Sequence, residues 1–269
     1  MPRRDVALAL ILLAAALCAG CGTASRNGKP GKVRNVEQVA PRYDLRDSAE
    51  TRNRIALQER LGLAVNRLQT GEYDDAERLA RDVLKRDPKS VDAYTVLAVV
   101  ASQRGDGQAA GDYYRKTTEL APGQGDVLNN YGAWLCANGY PAEALVWFDR
   151  AMSDPRYGSP ASALANAGGC ALQAGQNERA LRDLRRALEL DPANAYALES
   201  MARNEYAHGR YFEARAFSER RLAAAPATVS VLQLAIQIEM GLGDKVAAGR
   251  YQQRLGKEFP ETAAAHPGG

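Results

Sequence analysis

Histidine is nearly absent from this sequence, which has only His208 and His266 in 269 residues. His208 directly precedes a glycine, and His266 lies in a C-terminal stretch rich in Ala, Pro and Gly. General-base catalysis most often uses histidine, and neither residue has a nucleophile at the spacing of a known motif, so the sequence does not predict an enzyme. Walker, dinucleotide-binding and HExxH motifs are also missing, so we expect no cofactor and no small-molecule substrate.

An excess of one charge is lacking as well. The formal net charge is +3 and the basic residues form no long run, so nothing indicates a nucleic-acid partner. Cysteine is scarce, and outside the N-terminal Cys18 and Cys21 only Cys136 and Cys170 occur, too far apart to form a ligand-spaced pair; we therefore expect no metal site. β-Branched residues are few beside Leu, Ala, Arg and Glu, which favours an all-α protein.

The first 20 residues have the pattern of a secretion signal. Two arginines precede an apolar stretch that runs from Val6 to Ala19 and ends in small residues. The stretch is shorter than the roughly 20 apolar residues of a membrane-spanning helix. We therefore expect residues 1–20 to be a leader that is removed on export.

The leader ends in a small pair followed by Cys21, which resembles the lipobox of bacterial lipoproteins, with Cys18 where leucine usually stands. The resemblance implies that Cys21 is lipidated; the alternative is an ordinary signal peptide cut at small residues. Gly22 rather than Asp follows, and by the same resemblance the destination is the periplasmic face of the outer membrane. Residues 21–50 are polar, so we expect a flexible tether from Cys21.

A period of 34 residues runs through the rest of the chain. Glycines recur at intervals of 34, 34, 36, 34 and 34 residues, at Gly71, Gly105, Gly139, Gly175, Gly209 and Gly243. Each is followed five residues later by an alanine, and prolines close the units. This pattern resembles the tetratricopeptide repeat and predicts a right-handed superhelix, a solenoid of six helix–turn–helix units, over residues 51–262. The repeats span about 57–90, 91–124, 125–160, 161–194, 195–228 and 229–262, and residues 263–269 form a disordered tail.

The residue types at these places follow from helix geometry. A glycine after the first helix of each unit provides the left-handed residue that turns the chain, and the alanine allows the two helices to cross closely. The interval of 36 residues comes from an extended link at residues 154–160, which contains two prolines. This link is either a tolerated surface insertion or an element that contacts a partner.

Cys136 and Cys170 fall on the first helices of adjacent repeats. Neighbouring helices pack about 8–10 Å apart, so facing cysteines reach the separation that a disulfide requires. An exported protein folds in an oxidising compartment, which favours the bond. We expect a disulfide, with two free core cysteines as the alternative.

The first helices of such a superhelix line its concave face, which we call the groove. In repeats one to four the groove positions hold mainly apolar residues and amides: Leu61, Val65, Leu68, Val99, Asn129, Asn130, Ala133, Ala165, Asn166 and Leu172. An apolar groove with a few amides suits an extended or helical segment of a protein partner. The alternative for several of these residues is packing between repeats.

Two segments carry a more specific resemblance. Residues 129–136 (NNYGAWLC) and 166–172 (NAGGCAL), together with the lipobox, resemble the type IV pilus biogenesis lipoproteins of the PilW/PilF family. The resemblance implies a pilotin: a monomeric lipoprotein that binds secretin subunits and promotes their assembly in the outer membrane. A scaffold lipoprotein for outer-membrane barrel assembly or the cell-wall machinery is an alternative, and a periplasmic enzyme with repeats as support is a weaker one.

Overall fold

The computed structural model describes residues 48–260. The predicted leader, the lipidation site at Cys21, the tether before residue 48 and the tail at 263–269 lie outside the described residues. Within residues 48–260 no helix is both long enough and apolar enough to cross a membrane.

Residues 48–260 form twelve α-helices and no strand, which confirms the predicted all-α fold. The helices are α1 (Ala49–Gln69), α2 (Tyr73–Leu84), α3 (Val91–Gln103), α4 (Gly107–Leu120), α5 (Gly125–Ala137), α6 (Pro141–Met152), α7 (Pro160–Gln173), α8 (Asn177–Leu190), α9 (Ala195–Ala207), α10 (Tyr211–Ala224), α11 (Val229–Gly241) and α12 (Lys245–Glu258). Odd-numbered helices are the first helices of the repeats and even-numbered helices the second. Each pair packs as a hairpin, and each hairpin stacks on the next. Helix α1 begins at Ala49, ahead of position 57 where the period starts the first repeat.

Glycine makes every turn inside a hairpin. The six periodic glycines have φ between +71° and +88°, and no other residue type in the described chain has a positive φ. Side chains before several helices cap the next free backbone N–H groups; Ser90, for example, accepts from the Ala93 N–H at 3.3 Å. The chain direction is therefore set locally, repeat by repeat.

Small residues allow the two helices of each hairpin to cross closely. The alanines on the second helices are buried, as are Ala64, Ala98 and Ala202 on the first helices. In the fourth repeat this place is Gly168, where an added β-carbon would stand 2.5 Å from Cγ of Leu184 and 3.1 Å from the backbone oxygen of Ala180. The crossing of α7 and α8 therefore requires glycine.

The link at 154–160 is fixed to the third repeat. The Asp154 carboxylate accepts the Gly125 N–H at 2.9 Å and the Arg156 N–H at 3.0 Å. The ring of Tyr157 lies on Gly125, where a β-carbon would approach Cγ of the ring to 2.6 Å. Burial, and then the charge of Asp126, raises the pKa of Tyr157 to about 12. The link thus holds the start of α5, which gives it a packing role.

Candidate partner-binding groove

The apolar residues predicted for the groove differ in exposure. Val65 on α1 is 40% exposed, the most accessible of them. Partly buried residues follow on the same face and also contact the core: Leu61, Leu68, Val99, Ala133 and Leu172. Ala165 does not belong to this surface, because it is only 1% exposed and packs in the core with Leu184. That residue serves the stacking of repeats four and five, and its assignment to the groove was wrong.

The amides of the third and fourth repeats meet across the repeat boundary. Asn166 on α7 donates its side-chain N–H to the side-chain oxygen of Asn129 on α5, at 3.0 Å. Within residues 48–260 neither side-chain N–H of Asn129 has an acceptor, and the carbonyl oxygen and second N–H of Asn166 have no partner. The pair therefore offers donors and an acceptor side by side, which matches the N–H and C=O groups of a peptide backbone.

The third amide, Asn130, lines a separate pocket of the groove. The pocket has a volume of about 320 Å³ and lies between the second and third repeats, with Ala133 and Trp134 also in its wall. Trp134 lies on Gly111 of α4, where a β-carbon would stand 2.4 Å from the indole ring. Its Nε1 atom is buried and has no hydrogen-bond partner within residues 48–260. An aromatic wall beside an amide suits an apolar side chain of a bound segment.

A tyrosine from the fifth repeat crosses the groove at its middle. Tyr196 is 45% exposed, and its ring covers Gly169 on α7, where a β-carbon would stand 2.4 Å from the phenol oxygen. Burial, followed by the nearby charge of Glu199, raises the pKa of Tyr196. The ring marks the end of the apolar and amide-bearing half of the groove.

Beyond Tyr196 the same face is charged. Glu199 pairs with Arg203 at 2.8 Å on α9 and with Arg221 of α10 at 3.5 Å. Two halves of different chemistry therefore meet at the boundary between the fourth and fifth repeats, and the apolar half spans repeats one to four.

Cys136 and Cys170 form a disulfide beneath the groove. Their Cα atoms are 5.8 Å apart, and both residues lie in the largest core cluster with Tyr131 and Phe148. The bond joins α5 to α7, the two helices that carry the asparagine pair. It therefore fixes the spacing of the amides as well as the stacking of the repeats.

Sequence reasoning missed Trp134 and Tyr196 as surface residues of the groove. The sequence did contain a signal, because the repeat pattern does not explain two of its glycines. These are Gly111, which lies beneath Trp134, and Gly169, which follows the Gly168 that the helix crossing requires. Each of these extra glycines receives an aromatic ring from the next repeat.

The described residues of the groove offer binding groups and no reactive group. No cluster of three or more His, Cys, Asp or Glu side chains that could hold a metal occurs within residues 48–260. The described histidine, His208, has Nδ1 2.7 Å from the backbone oxygen of Asn204, at the end of its own helix. The arrangement can therefore recognise a polypeptide through apolar contacts and amide hydrogen bonds.

Comparison with known proteins agrees with the fold. The tetratricopeptide-repeat family matches residues 61–125 and again residues 161–194. The type IV pilus assembly protein PilF of Pseudomonas aeruginosa is 27% identical over 198 residues, which cover 74% of this chain and 79% of PilF. The crystal structure of PilW, a widely conserved type IV pilus biogenesis factor, superposes with a TM-score of 0.68 at 28% identity, over 76% of this chain and 94% of PilW. A solved structure of Pseudomonas aeruginosa PilF gives a TM-score of 0.64 at 26% identity, over 76% of this chain and 92% of that one. The chain is therefore a tetratricopeptide-repeat protein homologous to PilF and PilW.

Proposed function

We propose that this protein is a pilotin of type IV pilus biogenesis, which binds secretin subunits in its groove and promotes their assembly in the outer membrane. The observation that carries the proposal is the homology to PilF and PilW, whose solved chains are matched over 92% and 94% of their lengths. The two matches extend over 76% of this chain, which supports a common role for the repeats.

The groove supports a polypeptide partner rather than a small molecule. Its apolar residues run from Leu61 on α1 to Leu172 on α7. The Asn129–Asn166 pair lies among them, with donors and an acceptor that have no partner within residues 48–260. Apolar contacts supply the free energy of binding, and amides fix the direction and register of the bound backbone. No catalytic step is needed for this role.

The lipid proposed at Cys21 attaches the protein to the outer membrane. A folded domain on a tether explores a small volume next to the membrane, so a captured subunit is concentrated where it must assemble. Several acyl chains hold such a protein firmly, because each buried methylene contributes about 0.8 kcal/mol.

Binding of purified secretin subunits to groove variants tests the proposal. Val65→Glu places a charge on an exposed groove residue, whereas Val146→Glu makes the same change on α6, at a valine that is 57% exposed. We expect Val65→Glu to weaken secretin binding at least tenfold and Val146→Glu to leave it unchanged. Equal secretin binding by both variants would contradict the groove as the binding site. If the unaltered protein does not bind secretin subunits, secretin is not its partner.

A further inference from the structure

The asparagine pair of the groove has hydrogen-bonding groups that nothing in the described chain uses. One N–H of Asn166 is bonded to the side-chain oxygen of Asn129, which leaves three N–H donors and one carbonyl oxygen on the pair. In the described part of the chain, the buried side-chain polar atoms without a partner are Nε1 of Trp134 and Nε of Arg221. The unpaired atoms of the two asparagines are therefore accessible to solvent in the groove.

The surface next to the pair allows a polypeptide chain to approach it closely. Ala133 follows Asn129 by one helical turn on the same face of α5, is half-buried, and ends at its methyl group. On the side of the fifth repeat, the partly exposed ring of Tyr196 lies on Gly169. A bound chain thus meets a low floor at α5 and an aromatic wall at α9.

The unpaired groups distinguish an extended segment from a helical one. In a helix the backbone N–H and C=O groups bond to one another outside the first and last turns, so only its side chains would meet the asparagines. Apolar side chains on the pair would bury its polar atoms without partners, which is unfavourable. An extended segment has free N–H and C=O groups along its edges. The pair therefore favours the extended segment.

The pocket between the second and third repeats fits a side chain of the same segment. It has a volume of about 320 Å³, and its wall includes Asn130, Ala133 and Trp134. Neighbouring helices pack about 8–10 Å apart, and an extended chain advances about 3.3 Å per residue. About three residues of an extended segment therefore lead from the asparagine pair to the pocket. The indole ring in the wall suits an apolar side chain.

We propose that the groove binds its partner segment in an extended conformation, with the backbone bonded to Asn129 and Asn166 and one apolar side chain in the pocket beside Trp134. This proposal rests on the pilotin function and specifies what the groove selects from a secretin subunit: a linear segment with free backbone groups. The disulfide that joins α5 to α7 holds the two asparagines at a fixed spacing before the segment binds, so little order has to be gained on binding.

An ester scan of a secretin segment tests the backbone contact on the full chain. Overlapping secretin peptides of about 15 residues, long enough to span four repeats when extended, locate the segment that binds. Single peptide bonds of this segment are then replaced by esters, each of which removes one N–H donor and adds no bulk. We expect the ester at one position to weaken binding about fivefold, because the bond to the Asn166 oxygen is lost.

The same scan on two variants identifies the protein group that accepts this bond. The loss at that position should disappear in Asn166→Ala and persist in Asn177→Ala, which changes an exposed asparagine at the start of α8. A bound helix would instead lose affinity at several successive positions, and equally in Asn166→Ala, because its N–H groups bond within the helix.

A filled pocket provides the variant for the side-chain contact. Ala137→Phe adds a ring at an exposed residue of the pocket wall, and Ala207→Phe makes the same change at the same place of the fifth repeat, which is also exposed. We expect Ala137→Phe to weaken binding of the segment about tenfold, because the ring occupies the space of the bound side chain. Ala207→Phe should leave the affinity unchanged, and both variants should keep the helical content of the parent protein.

The outcomes separate this proposal from the pilotin function. Binding of intact secretin subunits without binding of any peptide, or ester losses that are the same in Asn166→Ala and the parent protein, would overturn the extended segment and leave the pilotin function intact. Equal binding by Ala137→Phe and Ala207→Phe would overturn the contact in the pocket. If neither intact subunits nor peptides bind, both the pilotin function and the extended segment are wrong.

Discussion

The ring of Tyr196 lies on Gly169, so that a β-carbon at position 169 would stand 2.4 Å from the phenol oxygen. The contact joins the fifth repeat to the fourth across the face of the groove. Tyr196 is both held in place and 45% exposed, a combination that suits an anchor for a bound segment. It also divides the apolar half of the groove from the charged half at Glu199.

Tyr196→Ala should weaken binding of secretin subunits about tenfold, which corresponds to about 1.4 kcal/mol. Tyr196→Phe should retain most of the affinity, because the ring supplies the contact area. Tyr140, on the surface and 55% exposed, provides the matched control for removal of a tyrosine. Isothermal titration of the three variants measures the difference. Equal losses at Tyr140 and Tyr196 would show that Tyr196 has no special role.

Gly168→Ala should lower the free energy of unfolding by about 1–3 kcal/mol, because the new methyl group overlaps Leu184 and the backbone of Ala180. Gly256→Ala, in α12, is the control: its β-carbon meets nothing within 4 Å. Alanine is the better helix former, so this change should stabilise the protein by about 0.5–1 kcal/mol. Urea unfolding followed by circular dichroism compares the two, and a stabilising effect of Gly168→Ala would contradict the close crossing.

Removal of the disulfide by Cys136→Ala with Cys170→Ala should reduce the free energy of unfolding by about 2–4 kcal/mol. The bond closes a segment with a sequence separation of 34 residues and so restricts the unfolded chain. Thiol counting in denaturant, on a chain with serine at positions 18 and 21, checks the bond itself. Two reactive thiols in that chain would contradict it.

Acid should destabilise the link at 154–160 through Asp154. The N–H groups of Gly125 and then Arg156 hold the pKa of the Asp154 carboxyl below its usual range, so the folded state favours the ionised form. This stability is present above the pKa of the unfolded chain, about 3.9, and is lost as the pH falls through the lower folded value. Unfolding measured between about pH 5 and pH 2 should therefore depend less on pH in Asp154→Asn than in the parent protein. The exposed Asp92→Asn serves as the control, and identical pH profiles for all three proteins would contradict the role of Asp154.

The period of the sequence sufficed to predict the architecture, because the properties it encodes are local. A glycine such as Gly71 needs a positive φ whatever surrounds it, and an alanine such as Ala76 marks a crossing within its own hairpin. The pairing of Cys136 with Cys170 was also within reach, because both lie on neighbouring first helices. Because the repeats stack regularly, the same local rules apply in each of them.

The surfaces were harder to predict, because they depend on how far side chains reach between repeats. Position 165 has the same place in its repeat as Asn129, yet Ala165 is short and is covered by its neighbours. Tyr196 reaches the groove only because Gly169 leaves space for its ring. Such contacts depend on three-dimensional packing and cannot be predicted from the spacing of residues in the sequence.

The most direct measurement is a deletion of this gene in its host, complemented by the parent protein or by Val65→Glu, with secretin monomers and multimers separated on an unheated gel. We expect the deletion to lose multimers and accumulate monomers in the inner membrane. The parent protein should restore the multimers, whereas Val65→Glu should not. Normal multimers in the deletion strain would contradict the pilotin role and leave a repeat protein that serves another assembly.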